Sequence, residues 1–102
     1  MLAMLEPVRV ASKTPAAIAI NPNQARYYKN RGRAYAQLKQ YRSAVEDFTA
    51  AMRIMPNDSE LLALRGLAYS LMNAKTNALS DYQMSCAMGK QEACNAFIKQ
   101  DK

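Results

Sequence analysis

Apolar residues recur three and four positions apart along most of this chain. Tyr28, Gly32, Tyr35 and Leu38 fall on one such stripe, and Ala44, Phe48, Ala51 and Met52 on the next. That spacing is the period of an amphipathic helix, and the polar turn Lys39-Gln40 divides the two. Sliding the chain along itself lays 25–58 on 59–92 with six identities, so the pattern is an internal repeat. Arg31-Gly32-Arg33-Ala34-Tyr35 falls on Arg65-Gly66-Leu67-Ala68-Tyr69, and Ala44 to Phe48 falls on Ala78 to Tyr82. The second turn is Asn73-Ala74. Each block reads as helix, turn, helix.

The identities sit where two packed helices need them. A glycine inside a helix costs roughly 1 kcal/mol relative to alanine. Gly32 and Gly66 are therefore expected at a close approach, with Ala44 and Ala78 as the small surfaces they meet. Tyr35 with Phe48, and Tyr69 with Tyr82, would fill the space between the paired helices. Pro56 ends a helix because it can neither donate to the turn nor continue it. Asn57, Asp58 and Glu60 supply capping and acidic groups at the next helix start, and Asn23 offers the same cap before Gln24. Asp47 and Asp81 recur on the second helices, where a cap-like or surface pairing is the simpler account.

Residues 25–58 resemble a tetratricopeptide repeat through Tyr28, Gly32, Tyr35, Ala44, Phe48, Ala51 and Pro56. Residues 59–92 match less fully, through Leu62, Gly66, Tyr69, Ala78 and Tyr82, with Ser85 at the second small position and Lys90 where proline is usual. The resemblance implies an all-α fold, a right-handed superhelical stack of helix-turn-helix hairpins with a C-terminal capping helix. On this reading residues 23–56 and 57–90 are the two repeats, and 91–102 form the capping helix and tail. Residues 1–22 are an irregular N-terminal segment with a short helix near 14–20. That helix resembles the tail of a preceding repeat, since Ala17, Ile18, Ile20, Pro22 and Asn23 lie one repeat length before Ala51, Met52, Ile54, Pro56 and Asn57. In the capping helix, Ala93, Phe97 and Ile98 would lie on the previous hairpin. Two full repeats are fewer than the ~3 usually needed for independent stability. Self-association through the N-terminal edge, giving a homodimer, is therefore an expectation.

Charge adds a direction. Residues 23–56 carry seven basic and two acidic side chains, a net +5, whereas residues 57–90 sum to zero. A local excess of this kind suits a partner with acidic character or simply a solvated helix face. In a stack of hairpins the first helices line the concave side, and tetratricopeptide arrays commonly bind peptides there. The residues expected in that groove are Arg26, Lys29, Asn30, Arg33 and Gln37, followed one repeat later by Glu60, Ala63, Leu64, Leu67 and Leu71. The groove would be cationic at one end and apolar toward the other, suited to a peptide or protein with acidic and apolar parts. Leu64, Leu67 and Leu71 could instead pack under the capping helix. One subgroup of the family clamps a C-terminal carboxylate between Lys, Asn and Arg; Lys29 matches, but Arg33, Ala63, Leu64 and Leu67 do not complete that clamp.

Two rival readings stand beside the peptide groove. The basic cluster with Tyr27, Tyr28, Tyr35 and Tyr41 could bind nucleic acid, but Tyr28 and Tyr35 belong to the repeat core and the charge does not continue into the second block. The chain could also be a purely structural segment of a longer array. Catalysis is not expected: the chain has no His, its eight carboxylates are scattered, and it lacks a Walker loop, a dinucleotide fingerprint and a nucleophile elbow. No cofactor or metal is expected, because two cysteines without histidine leave a zinc ligand set short. No stretch approaches the ~20 apolar residues of a membrane span, and no export address is read at the start.

Ala93, Cys94 and the spacing from Cys86 resemble Sel1-like repeats of the cysteine-rich kind, in which such a pair staples one helix to the next. The alternatives are a disulfide in an oxidising, periplasmic or exported setting, and two buried thiols in a cytoplasmic protein.

Overall fold

The computed structural model describes residues 22–101. The expected helix near 14–20 and the N-terminal edge before Pro22 lie outside them. Five helices follow in order: α1 (Pro22–Gln37), α2 (Tyr41–Ile54), α3 (Ser59–Leu71), α4 (Lys75–Ala87) and α5 (Gln91–Asp101). α1 pairs with α2 and α3 with α4, while α3 packs on α2 and α5 packs on α4. The result is an all-α helical-repeat stack.

Local chemistry sets the boundaries. The Asp58 carboxylate accepts from the Glu60 and Leu61 amides at 2.9 and 3.1 Å, capping α3 as the sequence suggested. α1 begins at Pro22, one residue before Asn23, where a fixed φ suits the first helical turn. α2 ends at Ile54, two residues before Pro56. Both intra-hairpin turns close in the Schellman manner: Lys39 N–H donates to Ala36 and Gln40 N–H to Tyr35, as Asn73 does to Ser70 and Ala74 to Tyr69. The turn needs one left-handed residue, supplied by Lys39 (φ 64°) and Asn73 (φ 66°) without glycine. Leu38, expected on the core stripe, lies past the end of α1 in this turn and is 66% exposed.

The glycines do mark close approach, but not to the alanines. A Cβ at Gly32 would stand 2.7 Å from Phe48 Cε1, and one at Gly66 would stand 3.0 Å from Tyr82 Cε1; the Cβ atoms of Asp47 and Asp81 come next. Each first helix therefore leans on the aromatic ring of its partner helix. Ala44 and Ala78 are fully buried, yet they are not the surfaces the glycines meet. The larger core gathers Ala25, Ala44, Phe48, Ala51, Ile54, Leu61 and Ala68. A smaller one holds Ala78, Tyr82 and Ala93, with Tyr69, Ala96 and Phe97 half-buried against it. Ala93 and Phe97 thus close on the preceding hairpin as expected, whereas Ile98 points outward and is exposed. Ser85, in the small position of the second block, is buried and donates its hydroxyl to the Ser59 carbonyl at 2.8 Å.

Adding a methyl at Gly32 sets better helix propensity against a clash with a packed ring. The ring should win: Gly32→Ala is expected to destabilise by about 1–3 kcal/mol in denaturant unfolding. Gly66→Ala, with slightly more room, should lose less.

Candidate binding face

Each hairpin is locked by an ion pair that falls at the same place in both repeats. Arg31 Nε and Nη2 donate to the Asp47 carboxylate at 2.7 and 2.9 Å, and Arg65 does the same to Asp81 at 2.7 and 2.8 Å. Both acids are buried, so they are not the surface or cap-like groups the sequence suggested. The two carboxylates accept two parallel N–H bonds each, the strongest geometry for this pair. Hydrogen bonding to Asp81, and secondarily its charge, holds the Arg65 guanidinium above its ordinary range, and Asp47 acts on Arg31 in the same sense. The remaining donors differ. Arg65 Nη1 reaches Thr49 Oγ1 on α2 at 3.1 Å and so ties the two hairpins, whereas Arg31 Nη1 bonds the Tyr27 hydroxyl at 3.0 Å. The Arg31 guanidinium also lies 5.2 to 5.8 Å from the ring centroids of Tyr27, Tyr28 and Tyr35. These tyrosines are therefore committed to one arginine of the same helix. Burial pushes the Tyr82 hydroxyl above its ordinary pKa, with the neighbouring Asp81 charge adding to it.

With the hairpins so fixed, α1, α3 and α5 lie side by side. Lys29 Nζ donates to Glu60 Oε1 at 3.1 Å, and Arg33 Nη1 stands 3.8 Å from Glu60 Oε2. The basic end of the face is consequently part-neutralised from the next helix, a contact the one-repeat-later alignment of Glu60 did not reveal. Arg26 and Lys29 border a cleft of ≈ 220 Å³ floored by Ala25 and Leu61. A second cleft, ≈ 160 Å³, runs between α1 and α3 beside Arg33, Gln37, Leu64, Leu67 and Leu71. A third, ≈ 340 Å³, lies between α3 and α5 and takes in Glu60, Ala63, Leu64, Leu67, Lys90 and Ala96. Leu64 and Leu67 border both of the last two, which makes them adjoining parts of one depression. Leu67 is 49% and Leu71 50% exposed, so neither is covered by α5, while Leu64 is half-buried against the larger core. Asn30 is exposed but borders none of these clefts.

The α5 wall of the third cleft is what sequence reading missed, since it treated that helix only as a cap. The signal was available: Ala25, Ser59 and Ala93 are spaced by one repeat length, as are Tyr28, Leu62 and Ala96. α5 occupies the place of a first helix. Cys86 and Cys94 form a disulfide, with Cα atoms 4.6 Å apart, that ties α5 to the end of α4. Among the described residues no group of three or more His, Cys, Asp or Glu could hold a metal ion, and no helix is long and apolar enough to cross a membrane.

Asp81 has 4% and Arg65 20% of its side chain exposed, against 8% and 43% for Asp47 and Arg31. Removing one partner of a buried pair strands the other, at about 3–5 kcal/mol. Asp81→Ala should therefore approach that range in thermal or denaturant unfolding, and Asp47→Ala, beside a more hydrated arginine, should cost clearly less.

Comparison with known proteins agrees with this architecture. No curated protein matches the chain. The family model of the tetratricopeptide repeat matches residues 25–58, the segment that holds α1 from Ala25 on, all of α2 and the first glycine–ring and arginine–aspartate contacts. That repeat is in general a protein-interaction scaffold, and the chain is an all-α helical-repeat protein whose residues 25–58 are similar to a tetratricopeptide repeat.

Proposed function

We propose that this chain is a non-catalytic scaffold that binds a peptide or protein segment along the face formed by α1, α3 and α5. The observation that carries the reading is the half exposure of Leu67 and Leu71 beside two adjoining clefts lined largely by first helices. Two leucines left at the solvent edge of an apolar depression are anchor sites for a partner's apolar side chains. Around them, Lys29 and Arg33 share the carboxylate of Glu60, and Arg26 borders the cleft that Asp58 also lines, so basic side chains outnumber acidic ones at that end of the face. The ligand that fits is a segment with large apolar residues and an acidic portion at its α1 end. Charge there sets orientation and rate of encounter more than affinity, which the leucine contacts supply.

Nucleic acid fits less well. Tyr27, Tyr28 and Tyr35, three of the four tyrosines that reading draws on, are engaged by Arg31, and the basic excess of residues 23–56 does not continue into residues 57–90.

The test is affinity capture from the native source, comparing the unaltered chain with Leu67→Asn/Leu71→Asn and with Arg42→Glu/Arg53→Glu on α2. Helicity by circular dichroism should be equal in all three, because these side chains are at the surface. Partner binding should fall at least about ten-fold in the leucine variant and stay within about two-fold in the α2 variant. Loss in the α2 variant alone would place the interface on the opposite side. A captured species that disappears with nuclease, and whose binding falls steeply with salt, would favour nucleic acid instead.

A further inference from the structure

The helix that walls the α3–α5 cleft is held by thin packing and one covalent bond. α5 spans 11 residues, short of the ~12–15 at which even a favourable isolated helix becomes marginal in water, so it stands through its contacts. Of its apolar side chains, Ala93 is buried, Ala96 and Phe97 are half-buried and Ile98 is exposed. α3, by comparison, buries Leu61, Leu62 and Ala68 and sends Arg65 to both Asp81 and Thr49. The polar contacts at the start of α5, Gln91 to Asn95 and Lys90 to Glu92, stay local to it. The Cys86–Cys94 bond closes its connection to α4 at the helix's fourth residue, next to Ala93. Both cysteines are half-buried rather than sealed in the core.

We propose that the Cys86–Cys94 bond is a redox control on the cleft between α3 and α5. With the bond closed, α5 is docked and supplies Lys90, Glu92, Ala93 and Ala96 to the cleft. With the bond open, α5 is released from α4, the cleft loses that wall, and Tyr82 beneath it is uncovered. The leucines shared with the α1–α3 cleft remain in place, so half of the face persists in both states.

The chemistry is thiol–disulfide exchange with a dithiol. One thiolate of the reductant attacks a sulfur of the pair, the Cys86–Cys94 bond breaks, and a mixed disulfide forms. The second thiolate then displaces the cysteine, and the reductant leaves as its own disulfide. Two electrons and two protons pass to Cys86 and Cys94, which end as thiols; oxidation is the reverse with a disulfide donor. The device rests on the groove reading only where the cleft is taken as a binding surface; the docking of α5 can be measured by itself.

The test is hydrogen exchange by mass spectrometry on the full chain in three forms: untreated with its free thiols counted, reduced with dithiothreitol, and Cys86→Ser/Cys94→Ser. Reduction without mutation guards against a variant that merely misfolds. The expected result is no free thiol in the untreated protein and α5 amides exchanging at least about ten-fold faster in both other forms, with α1 to α3 within about two-fold. Equal α5 protection in all forms, uniform acceleration across the five helices, or two free thiols in an untreated chain whose α5 is protected would each overturn the proposal. A partner insensitive to Leu67→Asn/Leu71→Asn would contradict the groove reading instead, and the exchange data would still decide the switch.

Discussion

The constraint on which the rest of this structure depends is the contact of a glycine on each first helix with an aromatic ring on its partner helix. Phe48 under Gly32 and Tyr82 under Gly66 set how closely the two helices of a hairpin approach, because a single added carbon would clash with the ring at Gly32 and press tightly on it at Gly66. One residue before each glycine is an arginine, and one residue before each ring is an aspartate. The approach that seats the ring therefore also brings guanidinium and carboxylate together. Packing and charge are satisfied by the same geometry, and removing either leaves the other strained or unpaired.

Repeating that lock in the second block carries the first helices to one side. Arg65 extends the lock from hairpin to hairpin through Thr49, and Ser85 adds a bond to the Ser59 carbonyl between α4 and the start of α3. The face that results joins three helices distant in sequence, with Leu64 and Leu67 in the middle and charged side chains on both flanks. Its outer wall, α5, buries Ala93 and half-buries Ala96 and Phe97, and its connection to α4 carries the disulfide.

Much of the fold was legible in the sequence because glycine, aromatic and small residues recur with the period of a repeated helical hairpin. The helix ends were legible where a single residue decides them, as Asp58 and Pro56 do. What the sequence hid were contacts between residues on different helices. Arg31 and Asp47 lie 16 positions apart, and nothing local joins them until the hairpin closes, so the aspartate looked like a surface group. Glu60 looked like a counterpart of Arg26 one repeat on; only side-by-side packing of α1 and α3 turns it toward Lys29 and Arg33. Leu38 and Ile98 kept the apolar pattern but not its burial, the first because α1 ends at Gln37, the second because α5 meets the stack through Ala93 and Phe97. The leucines of the face were candidates from the sequence, yet their exposure was beyond it, since an apolar stripe reads alike whether it is covered or open.

The central claim is that the face of first helices, and not the outer surface of α2 and α4, receives the partner. An NMR titration of the isotope-labelled chain with the captured partner segment tests it most directly. The account predicts amide shift changes concentrated at Arg33, Gln37, Leu64, Leu67, Leu71 and Ala96, with those of Arg42, Arg53 and Lys75 unmoved. Changes confined to α2 and α4 would contradict it.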